Sequence, residues 1–221
     1  MPVLSRGEKV DAAFYDEDYF KGNIKSNWTS PYNWTSYGNL FARWARFIID
    51  GYPYCKSFLD VGCATGLLER ALIETAELNK ISLDLHGFDH SPFAVPHAER
   101  IAQPFLEQAG IDDFAFKREY DLLLSFDVFE HLTPEQSENF LVRARPFIKH
   151  GLFFVIALNQ ERHRYEPSHV NLQEREWWEA LFERCGWRQG EDELEQMHCA
   201  REHKFIQNGE YEVFIYSSNR N

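Results

Sequence analysis

The stretch Ser57-Phe58-Leu59-Asp60-Val61-Gly62-Cys63-Ala64-Thr65-Gly66-Leu67-Leu68 decides the fold. A short apolar run stops at a glycine-bearing loop, and apolar residues at helical spacing follow at once over 67–77. Strand, glycine loop and helix open a βαβ unit, and the alternation continues in both directions. Upstream, Leu40, Phe41, Trp44, Phe47 and Ile48 predict a helix from Asn39 that Asp50-Gly51 stops. Downstream, the pattern predicts a strand over 81–89, a helix from Pro92 toward Gly110, and a buried strand over 121–125. A capping box, Thr133-Pro134-Glu135-Gln136, opens a helix to about Ile148, and 152–158 is a continuous apolar strand. Asn171 and Glu174 form a second capping box for a helix that ends at Cys185-Gly186. Runs at 194–201 and 210–217 flank Asn208-Gly209 and predict an antiparallel hairpin. The expected fold class is α/β: a doubly wound, mostly parallel seven-stranded sheet with a C-terminal antiparallel hairpin, built from residues 39–221.

Residues 1–38 show no period and read as an N-terminal cap or lid. Tyr15, Tyr19, Phe20, Trp28, Tyr32, Trp34 and Tyr37 crowd into this segment, in a chain that is 16% aromatic. Such rings exclude water and face cations well. The 221 residues suit one domain, and 44% hydrophobic content supports a sizeable core. Against 23 Lys+Arg stand 35 Asp+Glu, a net charge of −12. That balance argues against nucleic acid or an anionic membrane as partner, because both need clustered cations, and it favours a cationic ligand. Cys55, Cys63, Cys185 and Cys199 form no CxxC pair and read as reduced thiols. With no apolar leader and no membrane-length run, the expected location is the cytoplasm, so the sequons at Asn27 and Asn33 carry little weight.

The loop itself narrows the ligand. A dinucleotide site wants G-x-G-x-x-G, but counting from Gly62 the second and third glycine positions hold Ala64 and Leu67. Asp60, at the strand end, suits an ammonium group better than a pyrophosphate.

FLDVGCATG (58–66) resembles the first motif, D-x-G-x-G-x-G, of the class I S-adenosylmethionine-dependent methyltransferases of small-molecule type, with Ala64 for the middle glycine. HGFDHSP (86–92) resembles their second motif, YDLLLSFDVFEHL (120–132) their fourth-strand motif, and EPSHVNLQEREWWEALFERCGW (166–187) a run common in bacterial members. The likeness extends over roughly 56–217 and implies a Rossmann-like fold that binds S-adenosyl-L-methionine. By that resemblance Asp60 and Gly62 hold the methionine end, Asp89 takes the ribose hydroxyls, and Phe126 flanks the adenine or sulfonium. Asp112 or Asp113 takes the adenine N6. Cys63, Gly66 and His90 are further cofactor-binding candidates, and Tyr19 is one from the lid, where the resemblance singles out no residue.

A second constellation, Asp127, Glu130, His131 and His169, follows two strand ends, where ligands of doubly wound sheets bind. Two readings compete. The four residues make a metal site for Mg²⁺, Mn²⁺ or Zn²⁺, resembling the D/E-x-x-E-H plus downstream histidine of small-RNA 3′-end and ubiquinone-biosynthesis O-methyltransferases. Alternatively no metal is involved: Asp127 or His169 is the base or acceptor anchor, and Glu130 and His131 tie the loop down. The metal-free reading is preferred, with His169, Asp127 and His131 as catalytic candidates. His163, Arg164 and Tyr165 are candidate acceptor contacts. The expected activity is methyl transfer to a hydroxyl of a small molecule, such as a sugar or phenol. Small-molecule N-methylation is the near rival; methylation of an RNA end and a non-catalytic cofactor-binding module rank lower.

Overall fold

A six-stranded sheet in the order β3-β2-β1-β4-β5-β6 is the frame of the computed structural model, which describes residues 10–22, 25–26, 29–158, 166–202 and 211–218. Strands β1 (Ser57–Val61), β2 (Asp84–Asp89), β3 (Leu106–Gln108), β4 (Tyr120–Phe126) and β5 (Ile148–Ala157) run parallel. Strand β6 (Tyr211–Ser217) lies antiparallel on β5, with Phe154 opposite Phe214. The strand order reverses between β1 and β4, and that switch opens a crevice at their carboxyl ends.

Both faces are covered, so the central strands are apolar without alternation. In β5, every residue from Gly151 to Ala157 is buried. Leu152, Phe154 and Ile156 point into one layer with Phe140, Trp178, Leu181 and Phe182. Phe153 and Val155 point into the other, with Trp44 and Ile48 of helix α2 (Trp34–Gly51) and Leu68 and Leu72 of helix α3 (Leu67–Leu78). A third cluster seats the N-terminal segment: Val10, Tyr15, Tyr19 and Phe20 pack with Ala94. Tyr19 and Phe20 belong to the single-turn helix α1 (Glu17–Phe20), capped by Asp16.

Three expectations change. Helix α2 begins at Trp34 rather than Asn39, because the Asn33 side chain accepts the Ser36 amide (3.0 Å) and caps it there. The helix expected from Pro92 is absent: two 3-10 turns, Val95–His97 and Gln103–Phe105, lead instead into β3. Pro96 and Pro104 lack the amides an α-helix would need there. The expected strand over 194–201 lies within helix α6 (Glu191–Glu202), whose Met197 and Ala200 bury at helical spacing beside an acidic first turn. The sheet therefore has six described strands instead of seven, and its antiparallel C-terminal pairing is β6 with β5. Helix α4 (Pro134–Ala144) opens with the expected capping box, whereas helix α5 (Arg175–Arg184) has Glu174 itself as N-cap with no side-chain cap bond, so the second box does not form; the Asn171 side chain accepts from Gln173 instead. Asn27, Trp28, His163, Arg164, Tyr165, Asn208 and Gly209 lie outside the described residues.

Candidate active site

The loop after β1 is shaped by three left-handed residues in alternation. Gly62 (φ +74°), Ala64 (φ +47°) and Gly66 (φ +73°) turn the backbone so that it rises from the strand and enters α3. A Cβ on Gly62 would lie 2.3 Å from Val128 Cγ2, so the loop also needs glycine there for its approach to the β4 side. Ala64 carries the strain that a glycine would avoid. Its amide donates to Asp89 Oδ2 (2.9 Å), and the Ser91 amide donates to Asp89 Oδ1 (2.7 Å), which fixes the acid at the end of β2.

A cavity of about 820 Å³ opens above this loop. Gly62, Asp89, His90, Asp112, Phe126, Asp127, His131 and the lid residue Tyr19 all line it, so most of the sequence-selected residues meet there. Asp60, Cys63, Gly66, Glu130 and His169 stand behind that lining. Asp60 is buried beneath the loop, and its Oδ1 has no hydrogen-bond partner. Burial, then the neighbouring acid Glu69, push its carboxyl well above the usual range. The Cys63 thiol is buried and pushed well up by the same cause, which makes it inert. Asp112 Oδ2 accepts from Gln136 Nε2 at 2.7 Å. Phe126 packs against Trp44 and Phe41 and closes the floor under β4.

On the other side of the switch, Asp127 ends β4 with a left-handed backbone (φ +55°), an uncommon conformation for a non-glycine residue. Its amide donates to the Val155 carbonyl at 3.0 Å, and burial pushes its carboxyl up to about 7. His131 Nδ1 lies 3.2 Å from both the Ser168 carbonyl and the Tyr15 hydroxyl. A carbonyl only accepts, so the Nδ1 carries the proton and Nε2 keeps its lone pair. Burial holds His131 down to about 3, hence neutral. The Tyr15 ring also leans on His90 (centroids 4.8 Å), and the Ser91 hydroxyl donates to its carbonyl at 2.5 Å.

Glu130 and His169 serve this wall from behind. Glu130 is fully buried; its Oε1 accepts the Ala157 amide (3.0 Å) and its carbonyl accepts the amides of Val170 and Asn171 (2.9 Å each). It thereby ties the end of β5 to the segment carrying His169, whose ring meets His131 edge-on at 4.5 Å. Donor atoms of Glu130, His131 and His169 lie within 4.8 Å of one another, but Asp127 is not part of that group. Of the four residues in the competing metal reading, three are thus grouped, and two of those already bond backbone groups. Their observed work is holding the loop.

Two residues escaped the sequence reading. Glu69, only 1% exposed, faces Asp60 from the first turn of α3, where an acid normally reads as a favourable charge at a helix start. Tyr15 was one ring among many in the lid; its bond to a residue 116 positions away leaves no local signal.

Fold, glycine loop and paired acids agree with a methyltransferase domain on a Rossmann-like sheet. Residues 58–151 match the family model described as a methyltransferase domain. No curated protein matches the chain. Among solved structures, it is similar to the magnesium protoporphyrin IX methyltransferase of Synechocystis with bound SAM (TM-score 0.59, 15% identity, 94% of this chain and 97% of that one). It is also similar to the plantazolicin methyltransferase BpumL in complex with a triazolic substrate analogue and SAH (0.58, 15%, 84% and 85%). A third likeness is to DesVI of Streptomyces venezuelae (0.54, 17%, 69% and 84%). No helix among the described residues is long and apolar enough to cross a membrane.

Proposed function

We propose that the protein transfers the methyl group of S-adenosylmethionine to a hydroxyl of a small molecule, with Asp127 as general base. The site fits the cofactor on two observations. A buried, unpartnered Asp60 oxygen lies under the loop, and Gly62 leaves a cradle that a Cβ would fill. Asp60 and the loop amides would take the methionine end, Asp89 the ribose hydroxyls, and Asp112 the adenine edge. Bound there, the cofactor supplies a methyl group on a cationic sulfonium. Tyr19 and Phe126 would face that cation and exclude water, a contribution of about 1–2 kcal/mol for a desolvated contact. The relatives with bound SAM or SAH support this cofactor. Their names point to a porphyrin and to plantazolicin, so the acceptor is argued from the cavity.

Methyl transfer is an in-line displacement: the acceptor oxygen bonds the methyl carbon, the S–C bond breaks, and the hydroxyl proton must go to a base. Asp127 carries the argument, because it lines the cavity and burial lifts its carboxyl to about 7. His131, held near 3, is a poor base; with Tyr15 it serves as an acceptor anchor. The −12 charge disfavours an RNA acceptor. An amine acceptor would give its proton to the same carboxylate, so a panel of alcohols, phenols and amines separates the two chemistries.

Turnover is expected to rise with pH through about 7, as Asp127 loses its proton. Asp127→Asn should lower kcat by ~10²–10⁴-fold and flatten that profile, while SAH binding stays within about threefold. Unchanged turnover in this variant would remove Asp127 from the mechanism. Treatment with a chelator is expected to leave the rate intact; loss restored by Mn²⁺ or Zn²⁺ would reinstate the metal reading.

A further inference from the structure

Glu69 is a buried acid that the catalytic scheme does not use. It lies on the first turn of α3, is 1% exposed, and neither of its carboxyl oxygens has a hydrogen-bond partner within bonding geometry. The adjacent Arg70 turns outward to Glu74 (2.8 Å) and Glu99 (3.0 Å) and offers it no charge. The carboxyl of Glu69 instead meets that of Asp60, whose Oδ1 is likewise unpartnered. Space for it is made by β2: a Cβ on Gly87 would lie 2.5 Å from Glu69 Oε1. Two carboxyls in contact bond only when one of them carries a proton, because two carboxylates are both acceptors.

We propose that Glu69 is a positioning residue for the cofactor's amino-acid end: it shares one proton with Asp60 beneath the glycine loop, and the pair presents a single negative charge to the ligand's ammonium group. This rests on the reading that Asp60 meets that ammonium. Asp89 of β2, the Cys63 thiol and the Tyr32 hydroxyl also face the pair. All are acids, and His90 lies beside Asp89. Burial raises both members, Glu69 to about 7. The values belong to the pair as a unit. Below that pH the pair is neutral; above it one proton remains and the charge is −1. An arriving ammonium favours the charged form, so binding at acid pH expels a proton and tightens as pH rises.

Titration calorimetry on the full chain with two ligands tests this. SAH has the ammonium; 5′-methylthioadenosine keeps adenosine but lacks the amino-acid end. In the wild type, SAH binding at a pH below about 7 should release a proton, read from buffers of different ionisation enthalpy, and methylthioadenosine should release less. Glu69→Gln keeps a donor for Asp60, so it should hold SAH affinity within about threefold while abolishing the extra proton release. Glu69→Ala should weaken SAH by about tenfold and leave methylthioadenosine unchanged. Equal proton release for both ligands in the wild type overturns the proposal without needing any variant, as does SAH proton release unchanged in a folded Glu69→Gln. If the wild type binds neither ligand, the cofactor reading itself falls.

Discussion

At the scale of single residues, the glycine loop shows what alanine does at position 64, between two left-handed glycines. Ala64 holds φ +47°, a conformation an L-residue enters at a penalty of roughly 1–2 kcal/mol. Ala64→Gly removes that penalty and keeps the amide bond to Asp89; part of the gain is offset because glycine loses more freedom on folding. The net expectation is stabilisation by about 0.5–1 kcal/mol, seen as a higher midpoint in thermal denaturation. Gly62→Ala runs the other way. It adds left-handed strain and a Cβ 2.3 Å from Val128, so a loss of about 3 kcal/mol and weaker SAH binding are expected. Wild-type stability and affinity in Gly62→Ala would mean that the loop is not built as described.

At the scale of elements, the site depends on how β4 and β5 end. Asp127 is aimed by a left-handed turn held by the Val155 carbonyl, and Glu130 reaches across to the Ala157 amide. Strand β5 must therefore stay in register, and β6 holds it on the open edge. The close point of that pairing is Gly151, where a Cβ would come within 2.2 Å of the Tyr216 carbonyl oxygen. Backbone cannot yield as a side-chain tip can. Gly151→Ala is expected to destabilise the protein by about 2–3 kcal/mol in urea denaturation. A variant as stable as the wild type would show that β6 can shift without penalty.

At the scale of the whole molecule, the N-terminal segment and the sheet close on one cavity. Tyr15 bridges them, through Ser91 on the β2 side and His131 on the β4 side. A ligand that fills the cavity touches both and binds only the folded state. SAH at ~100 times its Kd should therefore add about 2.7 kcal/mol, and the midpoint should rise by roughly 5–10 °C in a domain of this size. Absence of any shift at saturating SAH would contradict the cofactor site.

The sequence by itself determined the βαβ frame, the glycine loop, Asp60, Asp89 and the Asp127–His131 run, because each is a local pattern: periodicity, a turn residue, or an acid at a strand end. It misled where a local pattern has two solutions. Residues 194–201 have few apolar positions, and only their contact with β6 and α2 selects a helix. The segment after Pro92 looked helical until its two prolines met the strand register of β3. Tertiary structure alone decided the pairings: Glu69 with Asp60, Tyr15 with His131, and Asp127 apart from the Glu130–His131–His169 group. The physical reason is that a buried polar group takes its properties from whatever desolvates and faces it, and those neighbours come from distant parts of the chain.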